Sequence, residues 1–275
     1  MALSSILKYA FIWMLPLVSA LTWLGMLLTM LIVWEVEGHP HYASMSANQS
    51  IAYISDIGAQ GLKPLFIAGC CVTTIFLDLS FASERWLRHT GRLAKNLGVA
   101  EKVVSGLAVV FAVAGTAGLI LLSIFDTLHH PHLHDGFLLL FIAGYVISAI
   151  FICAEYQRLG IHFREHFILR FSFWAKLTFI LLEIALAIVF ASTMFTKQQN
   201  VAAVFEWVIA FIFTFYVLTF FVDLLPAARD TQMRTNAEKM HVRDVENGNG
   251  HMSGNGVLNG TADGANVHYK TPQNF

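Results

Sequence analysis

The sequence predicts an all-α fold, a polytopic membrane protein built as a bundle of six transmembrane helices with both termini in the cytoplasm. Three observations predict it. Hydrophobic residues fill 56% of the 275 positions and charged residues only 13%, about half the charge that a soluble surface of this size carries; mean hydropathy is +0.62. Six apolar stretches each reach the roughly 20 residues that a helix needs to cross hydrocarbon. Lysine and arginine fall almost entirely on one side of those stretches, which orients the chain. The formal net charge of -1 removes any global basic excess, so a nucleic-acid partner is not expected.

The spans are read at 9–34, 64–82, 103–125, 136–154, 171–195 and 203–225. Their apolar runs are continuous, without the polar alternation of a membrane β-strand, and backbone in lipid must satisfy its own hydrogen bonds, which leaves helices. The first stretch begins like a secretory signal, with Lys8 and the small trio Val18, Ser19 and Ala20. It stays apolar to Val33, beyond the roughly 7 to 15 residues of a cleavable core, and is read as an uncleaved span kinked at Pro16. No repeat of three spans against three is visible. Cys70, Cys71 and Cys153 all lie inside spans, where they act as small buried apolar residues. The membrane domain is set at 1–226 and a disordered cytoplasmic tail at 227–275, whose stretch 247–266 is mostly Asn, Gly and small polar residues.

Fifteen of the seventeen cations fall on one side of the six spans; Lys63 and Lys197 alone fall on the other. The positive side faces the cytoplasm. The sequon Asn48-Gln49-Ser50 then faces outward and Asn48 is a glycosylation candidate, whereas Asn259 lies in the tail and is expected to stay bare.

Ahead of the second span runs Tyr53-Ile54-Ser55-Asp56-Ile57-Gly58-Ala59. Leu65-Phe66-Ile67 opens that span and Glu84-Arg85-Trp86-Leu87-Arg88-His89 follows it; Phe125-Asp126-Thr127 closes the third, and Leu133-His134-Asp135-Gly136 opens the fourth. In these motifs the chain resembles the Frag/DRAM/Sfk family of six-span membrane proteins, with the fungal Sfk-like members and the amino-terminal region of CWH-type proteins nearest in pattern. The likeness covers residues 1–226. It implies a role in plasma-membrane phosphoinositide and lipid organisation, in remodelling of GPI-anchor lipids, or in autophagy. No agreed catalytic mechanism comes with it.

The outer side is poor in cations and rich in titratable groups. Asp56 and His134 are the catalytic candidates, because each sits in a family-like motif at the lip of a span; Ser55 beside Asp56 serves equally as a helix cap. His129, His132, His134 and Asp126 are the metal-ligand candidates, since imidazole and carboxylate suit zinc-like ions, and a solvated headgroup-level loop accounts for them as well. His162-Phe163-Arg164-Glu165-His166 matches an inverted zinc-protease string but lies in a short basic loop rather than a soluble cleft. Glu183 is placed near mid-span. Such burial costs about 3 kcal/mol on insertion scales, so it must face the bundle interior, as interhelical glue or as the lining of a polar cavity. Asp78 and Asp223 are assigned to cytoplasmic span ends within reach of loop cations. Ala108, Ala112 and Thr116, with Ala114 and Gly118, give the third span a small packing face.

After the second span, Arg85, Arg88, Arg92 and Lys95 share one helical face, with Trp86, Leu93 and Leu97 roughly opposite. This basic amphipathic helix suits anionic inner-leaflet lipid at about 1 kcal/mol per cation, and enforcement of topology explains the same charges. The function expected is non-enzymatic organisation of membrane lipids, phosphoinositides among them, at the plasma membrane, with Golgi, ER or vacuole as alternative compartments. The alternatives are an intramembrane enzyme acting on GPI-anchor lipids and a transporter or pore. No cofactor is expected. Lipid-kinase or trafficking proteins are possible partners through the cytoplasmic loops and tail.

Overall fold

The computed structural model describes residues 11–90, 93, 99–162 and 167–248, the last twenty-three as backbone only. Among the described residues seven helices follow one another: α1 Leu15–Val36, α2 Ile54–Gly58, α3 Lys63–His89, α4 Val99–Ile124, α5 Pro131–His162, α6 Phe167–Phe195 and α7 Gln199–Gly248. All but the short α2 contain a stretch long and apolar enough to cross a membrane, so the protein is an all-helical, multi-pass membrane protein, with no strand among the described residues.

Prolines set where the spans begin. Pro16 and Pro64 occupy the first turns of α1 and α3, and Pro131 opens α5; there the missing N–H is one that a helix leaves unpaired in any case. The kink expected at Pro16 is thus a helix start. Several helices outrun their apolar stretches. The 32-residue α5 is about 48 Å long against about 30 Å of hydrocarbon. α7 continues as helix to Gly248, through the first part of the segment assigned to a disordered tail, because the residues after Pro226 are mostly good helix formers. Residues 249–275 lie outside the described residues.

The six spans form a ring in chain order. Each packs chiefly on its neighbours in sequence, and α7 returns to pack on α1, as expected when the connections of 125–130, 163–166 and 196–198 are too short to skip a neighbour. Interhelical hydrogen bonds pin the ring. Ser19 Oγ donates to Thr73 O at 2.7 Å, Ser148 Oγ to Ala108 O at 2.7 Å, and Trp23 Nε1 to Ala210 O at 2.8 Å, closing α1 on α7. The expected small face on α4 is present, with Ala108 and Ala112 fully buried. Its tightest point is a glycine contact: a Cβ on Gly144 of α5 would stand 2.5 Å from the backbone nitrogen of Gly115.

Two apolar cores stack along the ring. One, around Trp23, Met30, Ile54, Ile57, Phe66 and Trp207, lies at the end carrying α2, termed the outer end. The other, around Leu77, Phe81, Tyr156, Val217 and Phe220, lies toward the inner end. The outer surface of the ring is itself apolar, with Leu21, Val110, Leu139 and Ile188 more than half exposed, as a lipid-facing perimeter requires.

Candidate functional site

The outer end is organised by the segment that carries Asp56. Asp56 Oδ2 accepts the Tyr53 N–H at 3.0 Å, capping α2, and Gln49 Nε2 at 2.9 Å. The carboxylate is 2% exposed. The segment is then tied to the start of α7. Asn200 Oδ1 accepts the N–H groups of Ser50 at 2.7 Å and Ile51 at 3.0 Å, Glu206 Oε2 accepts the Ile54 N–H at 2.8 Å, and Trp207 Nε1 donates to Ala52 O at 3.0 Å. Tyr53 Oη donates to Gln199 Oε1 at 2.6 Å; burial, then the nearby Glu206 and Asp56 carboxylates, push that phenol above its ordinary range and keep it a donor. Asn48 is exposed on this loop.

Inside the ring lies a cavity of about 130 Å³, walled by every helix and predominantly apolar, with Trp23, Phe66, Leu119, Phe141, Ile180 and Phe213 among its walls. Ser55 and His134 border it toward the outer end, Glu183 and Glu206 between the spans, and Tyr145 and Tyr216 deeper. Along α5 the lining runs from His134 to Ala149, about 22 Å of helix. The lining thus extends along the axis of the ring.

His134 is held in one tautomer. It is 3% exposed, and its Nδ1 lies 3.0 Å from both Leu122 O and Phe125 O. Both partners are acceptors, so Nδ1 bears the hydrogen, and Nε2 makes no hydrogen bond among the described residues. These carbonyls end α4, where a helix leaves them without intrahelical donors. Nearby, Thr116 Oγ1 donates to Asp78 Oδ2 at 2.9 Å and lies 2.8 Å from the Tyr145 hydroxyl. Asp78 is therefore paired within the bundle and not with loop cations.

The structure redistributes the expected site residues. His134 and Glu183 share the cavity; Asp56 does not border it, its neighbour Ser55 does. His129, His132, His134 and Asp126 do not converge as metal ligands, and no group of three such residues does among the described residues. Asp126 instead accepts Lys63 and both the backbone N–H and Nδ1 of His129, at 2.7 and 2.9 Å, while His134 Nδ1 serves the carbonyls of α4. Of the zinc-protease string, 163–166 lie outside the described residues.

The basic face expected after the second span also divides. Arg85 pairs with Glu155. Arg88 pairs with Glu84 at 2.6 Å and lies 3.8 Å from Glu155, and both arginines turn into the bundle rather than toward a leaflet, because carboxylates on α3 and α5 wait there. Arg92 and Lys95 lie outside the described residues. Tyr156 donates to Glu84 Oε1 at 2.7 Å, and Lys176, wholly buried, bonds Ser172 at 2.8 Å and Asp223 with its ammonium 4.6 Å from the Tyr156 ring. Three acids and three cations thus neutralise one another across α3, α5, α6 and α7. Sequence reasoning anticipated a cation within reach of Asp223, and Lys176 supplies it, but it missed the network as a whole. The four-residue spacing of Glu84 and Arg88 was a further visible signal.

The profile of the Frag1/DRAM/Sfk1/Cwh43P N-terminal domain matches residues 11–227. The chain belongs to this family. It is 31% identical over 212 residues to protein sfk1 of Schizosaccharomyces pombe, covering 77% of this chain and 63% of that one. It is 30% identical over 181 residues to protein SFK1 of Saccharomyces cerevisiae, covering 55% of this chain and 51% of the relative. The chain therefore spans between half and two thirds of the length of these family members. No solved structure matches it. The family match takes in α1 to α6 and the membrane-spanning part of α7, which is the whole wall of the cavity.

Proposed function

We propose that this protein organises membrane lipids by taking lipid into the cavity at the middle of its six-helix ring and holding it there without chemical change. The observation that carries the reading is the cavity itself: it is walled by all six spans and apolar apart from a few polar groups, a lining that suits the end of a lipid, since about 130 Å³ is below the roughly 300 Å³ of a site that encloses a whole ligand. Family resemblance supports a role in lipid organisation and, with it, a plasma-membrane location. The concentration of lysine and arginine on one side supports attraction to an anionic inner leaflet; on the segment after α3 that attraction rests on Arg92 and Lys95, since Arg85 and Arg88 are engaged in ion pairs. Binding rather than turnover is favoured because the Asp56 carboxylate is committed to capping α2 and stands outside the cavity wall.

A lipid-remodelling activity is the second reading, and one observation favours it: His134 borders the cavity with Nε2 unpartnered and its tautomer fixed, as a general base requires. One experiment separates the two. Purified full-length protein is incubated with defined lipids, and both the retained lipid and the bulk pool are analysed by mass spectrometry. The binding reading predicts about one retained, unaltered lipid per chain. Product that accumulates with time and disappears in His134→Gln would replace it with the enzymatic reading, and flux of lipid or ion into sealed vesicles without retention would contradict both.

A further inference from the structure

The polar groups on the cavity wall constrain what can occupy it. Ser55, His134, Tyr145, Glu183, Glu206 and Tyr216 supply the polar lining, and no lysine or arginine borders it among the described residues. Lys63 is committed to Asp126 at the outer end, and Lys176 to Asp223 at the inner end. A phosphate withdrawn from water needs a cation or several convergent N–H donors. This wall offers neither.

The groups left without partners ask for the opposite chemistry. Glu183 Oε1 and the Tyr216 hydroxyl are buried with no hydrogen-bond partner, and Tyr216 is only 5% exposed. His134, with Nδ1 on the α4 carbonyls, turns its other ring nitrogen to the same cavity, where the neutral ring offers an acceptor. A buried acceptor left unmade is costly, and a ligand that donates to it removes that cost. Glu183 lies near the middle of α6, so a donor carried into the ring would find it there.

Resting on the lipid-uptake reading above, we infer that the cavity selects a neutral lipid whose polar end is a hydroxyl or an amide, and turns away phosphorylated headgroups. A neutral headgroup needs no cation from the wall, its hydroxyl or amide pairs with the open polar groups, and the hydrocarbon part meets the phenylalanine and leucine walls.

Two probes with identical diazirine-bearing acyl chains test this: a diacylglycerol, which ends in a hydroxyl, and a phosphatidic acid, which carries a phosphate at the same position. Full-length protein in phosphatidylcholine nanodiscs is irradiated with each, and labelled residues are mapped. The diacylglycerol should label the inward faces of α5, α6 and α7 about fivefold or more above the phosphatidic acid, the ratio expected from one buried hydrogen bond and one rejected charge. Glu183→Leu should lower diacylglycerol labelling by a similar factor, while Glu183→Gln, which keeps an acceptor oxygen, should retain it. Equal or stronger interior labelling by phosphatidic acid would overturn this inference while leaving lipid uptake standing. Absence of interior labelling by either probe would overturn both. The comparison of probes on the unsubstituted protein holds even where a variant fails to fold.

Discussion

His134 and Asp126 show how single side chains finish helix ends that the backbone leaves open. His134 donates from Nδ1 to two carbonyls that close α4, so its replacement by Leu should lower stability by about 1 to 3 kcal/mol. Asn, which keeps a donor near the Nδ1 position, should recover much of that loss in thermal unfolding followed in detergent. For Asp126, burial acts to raise the carboxyl, but Lys63 and the two His129 donors outweigh it and hold the group well below the usual carboxylate range. A group lowered in the folded state contributes stability above its unfolded value, near about 4, and loses it as the pH falls toward the folded one. Unfolding temperature should therefore be flat between pH 7 and about 5 and fall below about 4, and Asp126→Asn should flatten that fall. Both residues stood out in the sequence as motif members near span ends. Their partners did not, because Leu122 O and Phe125 O are backbone atoms, and the reach of Lys63 to Asp126 is decided by how α3 and α4 pack.

The spans themselves were legible because lipid demands long continuous apolar runs. Their ends were not, since α3, α5 and α7 carry helix past the hydrocarbon into residues with ordinary polarity. That overrun explains the misread basic face: Arg85 and Arg88 lie one and two turns beyond a hydropathy boundary but still inside the packed bundle, where Glu84 and Glu155 are available. Breaking a buried pair costs more than replacing it whole. Lys176→Met should destabilise by about 3 kcal/mol, whereas Lys176→Met combined with Asp223→Leu should regain most of that loss in chemical denaturation. Arg88→Gln should likewise lower folded yield in detergent without changing retention of anionic lipid. The docking of α2 follows similar logic. Glu206→Gln keeps an acceptor for the Ile54 N–H and should be tolerated, while Glu206→Leu leaves that N–H unpartnered and should loosen the outer loop, read as faster hydrogen exchange at 50–58.

Closure of the ring is a property of the whole molecule that local sequence does not display. Short connections make neighbours of consecutive spans, but α1 meets α7 through contacts such as Trp23 to Ala210, 187 residues apart, and without that closure there is no interior for Glu183 to face. The orientation of the ring, by contrast, rests on the cation distribution alone. Both termini should be protected from protease in intact cells while Asn48 is accessible for glycosylation; cleavage of a C-terminal tag from outside would reverse the assignment of inner and outer ends. The claim on which the functional reading depends is that lipid occupies the interior. A high-resolution density map of the full chain in lipid nanodiscs examines this without any substitution. We expect an elongated non-protein density inside the ring, running from beside His134 past Glu183 toward Tyr216. An interior filled by side chains or by isolated waters, with ordered lipid confined to the outer perimeter, would contradict it.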